Sequence, residues 1–287
     1  MNNDENFIKT LIKVQQNMDY ADLNVGPAKG AYAGILPKLV ELVQGNSELG
    51  ISLDTTNTDE MHKALSLCKH PEDVFLNSTS KDEPRLEKVT SMAADNGSNI
   101  IALTLSKETG IPKTCNGRLE IAFEIYEKCA EKGIENEKIY FDPLILPVSI
   151  DQTQAFEALN TIKMIKESFD PPVKTIIGLS NISNGSPAEL RPLINRTFAV
   201  LAHGAGLDAA IVDAKDIELV RILRMLETSK PEKLVDELYL NLSKMISDFT
   251  ELEDVAYNKD DREQTEIIKA AYILTGKKIY SHSFTQI

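Results

Sequence analysis

The chain has 287 residues, with 44 acidic against 31 basic side chains and a formal charge of −13. No basic run is longer than a pair, so nucleic acid and anionic membrane surfaces, which need a concentrated positive patch, are excluded as partners. Three cysteines, Cys68, Cys115 and Cys129, form no C-x-x-C pair, which signals neither a disulfide framework nor a zinc site. Cys68 and Cys129 are read as core residues on apolar helix faces. The N-terminus "MNNDENFIKT" has no basic and apolar leader, and no 18-residue apolar stretch occurs. The reading is a soluble, reduced, cytoplasmic protein of one domain, 1–287.

In chain order, a helix over "NFIKTLIKVQQNM" comes first, with Phe7, Ile8, Leu11, Ile12 and Val14 as its buried stripe. Short apolar runs follow, each closing on a polar residue: "YADLNVG" (20 to 26), "GISLDTTN" (50 to 57), "DVFLNSTS" (73 to 80) and "NIIALTLS" (99 to 106). The series continues with "KIYFDPLI" (138 to 145), "KTIIGLSN" (174 to 181) and "LDAAIVDA" (207 to 214). Between them lie helical patterns, such as Leu119, Ala122, Phe123, Tyr126 and Cys129 on one face. Seven strand-helix units in a row predict a parallel, helix-covered sheet, and favour a closed (β/α)8 TIM-type barrel.

That barrel lacks its first strand, because only five residues precede the first helix. Either the chain is shortened or "KKIYSHSF" (277 to 284) fills part of the gap, and the sequence leaves both open. After "DIELVRILRMLE", residues 228–264 form a helical insertion in which Leu234, Leu238, Leu242, Met245 and Phe249 step by three or four, before a charged loop "NKDDREQTE". It packs outside the barrel or serves as a docking arm.

In a parallel barrel, ligands bind at the carboxyl ends of the strands. Those ends carry Asp22 and Asn24, Asp54, Asn77, Thr104, Asp142, Ser180 with Asn181, and Asp213. Carboxylates and amides dominate, and none of the four histidines is among them, which disfavours a hydrolytic metal site; no bound metal is expected. Asp and Asn suit a neutral heterocycle: a carboxylate accepts two N–H donors side by side, as from a 2-amino-pyrimidinone, and an amide pairs with adjacent donor and acceptor atoms. A pterin has that edge. The competing reading is helix capping, for which Asp54 before "TTNTDEMHKAL" is placed.

The motifs "DLNVGPA" (22 to 28), "LDTTN" (53 to 57), "LNSTS" (76 to 80), "TGIPK" (109 to 113), "FDPLILPVS" (141 to 149), "IGLSNIS" (177 to 183) and "RPLINRTF" (191 to 198) occur in an order that resembles the methyltetrahydrofolate:corrinoid methyltransferases. The resemblance runs from about residue 7 to 227 and resumes at "IYSHSF". It implies a pterin-binding barrel, usually a homodimer, that moves the N5-methyl group of methyltetrahydrofolate to the cobalt of a corrinoid. The corrinoid would be carried by a partner, the corrinoid iron-sulfur protein of the acetyl-CoA pathway or a demethylase corrinoid protein. By motif position, Asp54, Asn77 and Asp142 hold the pterin edge and Asn181 lies beside N5. Gly178, Ser180, Asn184 and Arg191 line the pocket, although the loop from Asn181 to Arg191 is two residues longer here. Charge alone points to Lys107, Lys113 and Arg118 for the glutamate tail.

An amide at that position makes chemical sense, since a neutral tertiary amine is a poor leaving group. A side-chain N–H donates at any pH and strengthens its hydrogen bond as charge develops on N5. Two other readings stand beside this one. A dihydropteroate synthase-like enzyme would need a basic residue soon after "GLSNIS", and none follows before Arg191. A non-catalytic pterin-binding or scaffold subunit is motivated by the missing strand and the added helix.

Overall fold

A computed structural model describes residues 5–26 and 33–286. The first four residues of "MNNDENFIKT", and Pro27 and Ala28 of "DLNVGPA", lie outside the described residues. The chain divides into two compact units: Met1–Ile111, Glu120–Asp142 and Pro171–Lys174 form one, and Pro112–Leu119, Pro143–Asp170 and Thr175–Ile287 the other.

The first unit holds α1 (Glu5–Val14), β1 (Tyr20–Asn24), α2 (Ile35–Gln44), β2 (Gly50–Asp54), α3 (Thr58–Leu65), β3 (Phe75–Thr79), α4 (Arg85–Asn96), β4 (Asn99–Leu103) and β5 (Ile139–Asp142). The helix α5 (Cys115–Glu131) precedes β5. The strands pair in parallel and in the order of the chain. Leu76, Ile100 and Ile101 are buried runs rather than alternating ones, as expected of strands covered on both faces. Register sets the site. It places Asp22 opposite Ser52, Asn24 opposite Asp54, Asp54 opposite Asn77, and Leu103 opposite Asp142.

The second unit holds α6 (Thr153–Ser168), β6 (Lys174–Gly178), α7 (Arg191–Gly204), β7 (Ala209–Ile211), α8 (Ile217–Thr228), α9 (Asp236–Asp248) and α10 (Arg262–Leu274). β6 and β7 pair in parallel. Its core joins Ile177, Phe198 and Leu201 to Leu238, Leu242 and Met245 of α9 and Ile267 and Ala271 of α10. The late helices are thus part of the hydrophobic core. The contact between α7 and α9 is close: a Cβ on Gly204 would stand 2.1 Å from the Ser243 carbonyl oxygen, so only glycine fits there. Asp236 begins α9 with a fully buried carboxylate that accepts from both Arg221 Nη atoms at 2.8 and 2.6 Å, and from the Glu232 and Lys233 amides at 2.8 and 2.9 Å.

Several expectations need correction. In α1 only Ile12 is buried, and Phe7 is 60% exposed, because α1 packs against α2 through a narrow face. The inward face of α5 is Ile121, Ala122, Ile125 and Cys129, with Phe123 turned outward. Cys68 lies beyond the end of α3 and is half-buried. Leu234 and Phe249 flank α9 instead of continuing its buried stripe; they are 91% and 75% exposed. "NKDDREQTE" is not all loop, since Asp261 caps α10 by accepting from the Gln264 amide. Residues 277–284 supply none of the seven strands found among the described residues. Their backbone is held by a side chain instead of a ladder: Gln152 accepts from the Tyr280 amide and donates to the Lys278 carbonyl.

Candidate functional site

At the end of β1, β2 and β3 in the first unit, polar side chains from three adjacent strands are hydrogen-bonded to one another. Ser52 Oγ and Asn77 Nδ2 both donate to Asp22 Oδ1, at 2.5 and 3.3 Å. Asn24 Nδ2 donates to Asp54 Oδ2 at 2.5 Å, while Asn24 Oδ1 accepts from the Gly26 amide and closes the turn after β1. Asn77 is buried. Burial is the main cause that lifts the Asp22 carboxyl to about 6, and the facing Asp54 carboxylate adds to it against the opposing donors Ser52 and Asn77. Asp54 is raised as well, chiefly by burial. With both carboxyls raised, the facing pair resists carrying two charges at once.

The capping alternative for Asp54 fails on geometry. Asn57 caps α3, its Oδ1 accepting from the Asp59 and Glu60 amides at 3.0 and 3.2 Å. Asp54 is left to the cluster. At the end of β5, the Asp142 carbonyl accepts from the Thr104 amide and Oγ1, each at 3.0 Å, which joins the ends of β4 and β5.

In the second unit, β6 runs into a 3₁₀ turn, Leu179–Ser183, that carries Ser180 and Asn181. Val148 donates its amide to the Ile182 carbonyl at 3.0 Å and pins this turn. Asn184 Nδ2 donates to Asn181 Oδ1 at 3.3 Å, and Arg191 Nη2 donates to Asn184 Oδ1 at 3.0 Å. Arg191 Nε also donates to Ser183 Oγ at 3.3 Å, whose hydroxyl donates to the Ser180 carbonyl. Gly178 lies under Asn181: a Cβ there would be 3.1 Å from Asn181 Nδ2. The site residues read from the sequence therefore fall into two groups, Asp54 and Asn77 with Asp142 at the end of β5 in the first unit, and Gly178, Ser180, Asn181, Asn184 and Arg191 in the second.

The sequence places Asp22 and Asn24 at a strand end without assigning them to the pterin edge, and it gives no sign of Ser52 or Arg85. The Arg85 guanidinium donates to the Thr56, Thr55 and Ser78 carbonyls, clamping the loop after β2 to the end of β3. A charged residue at the start of an ordinary helix gives no local sign of that. Arg118 is fully buried and donates to the Pro112 carbonyl and, at 2.7 Å, to Gln154 Oε1. It is a packing residue in this unit, unlike the exposed Lys107 and Lys113. Among the described residues no group of three His, Cys, Asp or Glu side chains could hold a metal ion, and no helix is long and apolar enough to cross a membrane.

A family model, pterin binding enzyme, matches residues 26–213. The methylcorrinoid:tetrahydrofolate methyltransferase of Eubacterium limosum is 26% identical over 214 residues, covering 73% of this chain and 77% of that protein. Methionine synthase of Mycobacterium tuberculosis (strain ATCC 25618 / H37Rv) is 31% identical over 181 residues, which is 60% of this chain and 15% of the longer protein. Among solved structures, dihydropteroate synthase of Yersinia pestis with a pterine-sulfa conjugate superposes with a TM-score of 0.58 at 16% identity, covering 78% of this chain and 89% of that one. The enzyme of Coxiella burnetii in complex with pteroic acid gives 0.58 at 17%, covering 79% and 88%. These structural likenesses establish the fold, a TIM-type barrel with seven strands among the described residues and added C-terminal helices. With the family model spanning most of the chain, the protein belongs to the pterin binding enzymes.

Proposed function

We propose that this chain is a methyltransferase that passes the N5-methyl group between methyltetrahydrofolate and the cobalt of a corrinoid held by a partner protein. The observation that carries the reading is the acceptor-rich cluster on β1, β2 and β3, in which Asp54 and Asn77 are buried or half-buried, and hydrogen-bonded into fixed positions. Such a set matches the donor edge of a pterin. Resemblance to the Eubacterium limosum methyltransferase supports the corrinoid half of the proposal.

In this reading Asp54, Asn77 and Asp142 hold the pterin, and Asn181 donates through Nδ2 to N5. The corrinoid supplies cobalt(I), whose electron pair forms the new bond to the methyl carbon. The pair of the broken C–N bond stays on N5, which is protonated from solvent. Asn181 acts mainly as that charge changes, so it stabilises the transition state more than the bound substrate.

Calorimetry with methyltetrahydrofolate, followed by mixing with a reduced corrinoid protein and recording the cobalt absorbance, tests this. Micromolar binding and a colour change are expected, with Asn181→Ala slowing transfer by roughly 10²-fold while binding persists. No binding would refute the pterin assignment. Binding with unchanged cobalt would favour a non-catalytic pterin-binding subunit.

A further inference from the structure

We infer that Arg191 and Asn184 are positioning residues that set which edge of the Asn181 amide faces outward. The inference rests on the proposed role of Asn181. It begins from a property of arginine: a guanidinium can only donate. The atom of Asn184 that meets Arg191 Nη2 at 3.0 Å must therefore be the carbonyl oxygen Oδ1. That choice turns the amide nitrogen of Asn184 toward Asn181, 3.3 Å away, where it donates. Its partner must be an acceptor, so Oδ1 of Asn181 is engaged. Nδ2 is left as the other edge, above Gly178.

Polarity thus passes from Arg191 through Asn184 to Asn181. Without it an asparagine amide has two orientations of nearly equal shape, one of which would present an oxygen lone pair to N5 and repel the pair left there. The backbone is prepared for the same end. Ser149 Oγ donates to the Asn184 carbonyl at 2.7 Å, and the Asn184 amide donates to the Asn181 carbonyl at 3.2 Å. The relay lies wholly within one unit and draws on the longer loop that the resemblance singled out as a departure.

The distinguishing variant is Asn184→Asp. Its carboxylate keeps the partner of Arg191 but has no N–H for Asn181, so the Asn181 amide must turn its nitrogen inward to donate. Asn184→Ala removes the relay without imposing the wrong polarity, and a freely turning amide remains correct for about half of the time. The first readout needs no activity. In unliganded protein labelled with 15N-asparagine, an NOE between the Asn181 Hδ2 protons and Gly178 Hα is expected in the wild type, weakened in Asn184→Ala and lost in Asn184→Asp.

The second readout is methyl transfer. The kcat is expected to fall about twofold in Asn184→Ala and at least tenfold in Asn184→Asp, with KM for methyltetrahydrofolate little changed in either. Arg191→Lys, which can still donate, should retain more of the NOE than Arg191→Met. An NOE that survives in Asn184→Asp, or an alanine variant slower than the aspartate one, overturns the inference. A wild type that shows the NOE pattern but transfers no methyl group would instead refute the proposed function and leave the relay standing.

Discussion

Replacing a half-buried, hydrogen-bonded acid usually destabilises a protein, yet Asp22→Asn is expected to stabilise this one at neutral pH. The Asp22 carboxyl titrates at about 6 instead of its ordinary 3.8, mainly because it is buried and also because Asp54 faces it. A raised carboxyl pKa means that the folded chain holds this proton more tightly than the unfolded chain. The resulting stability is complete below about pH 4 and is lost as pH rises through 6. At about 1.4 kcal/mol per pH unit, the folded chain above pH 6 is disfavoured by roughly 3 kcal/mol, a ceiling because Asp54 titrates together with it.

Asparagine reproduces the protonated acid without its charge. Its oxygen can accept from Ser52 Oγ and Asn77 Nδ2, as Asp22 Oδ1 does, and its nitrogen can donate to Asp54. Urea unfolding followed by circular dichroism, in wild type and variant from pH 4 to 8, measures the difference. It should be close to zero at pH 4, rise to about 1–3 kcal/mol in favour of the variant by pH 7, and stay flat above. A variant less stable than wild type at pH 7, or a difference independent of pH, refutes the account of a raised Asp22 carboxyl.

Gly178→Ala should disturb Asn181 without unfolding the chain. The added methyl meets Asn181 Nδ2 at 3.1 Å, so the amide must retreat by about 0.3 Å; if 1 Å costs about 10²-fold in rate, this retreat slows methyl transfer about fourfold. Unchanged kcat would mean that the amide has slack. In the second unit, Asp236→Ala leaves Arg221 without its buried partner and two backbone amides without an acceptor. A loss of roughly 3–5 kcal/mol in urea unfolding is expected, with less in Asp236→Asn, and a loss under 1 kcal/mol would show that water reaches the site.

The strands were legible because each is a short apolar run closed by a polar residue, a pattern that local chemistry dictates. All seven lie inside the segments read from the sequence, and Asp54, Asn77 and Asp142 stand at or near their ends. What escaped depends on partners far along the chain. Asp22 gains its meaning from Asp54, on the next strand in register with Asn24, and Arg85 from carbonyls on the loop after β2 and on β3. The stripe of α1 differs from expectation for a related reason: helical periodicity says which residues share a face, and only packing says whether that face is covered. Residues 277–284 have strand-like composition, but Gln152 claims their backbone groups first.

The glycine contact between α7 and α9 has a mechanical consequence. Helix α7 is 14 residues long, about 20 Å; Gly204 is its tail and Arg191 its head. With the tail clamped against the Ser243 carbonyl, the head cannot slide along the helix axis without tearing that joint open. The C-terminal helices thus act as a footing for a rigid strut, and trimming them would slacken the guanidinium at the opposite end long before any residue around Asn181 had been touched.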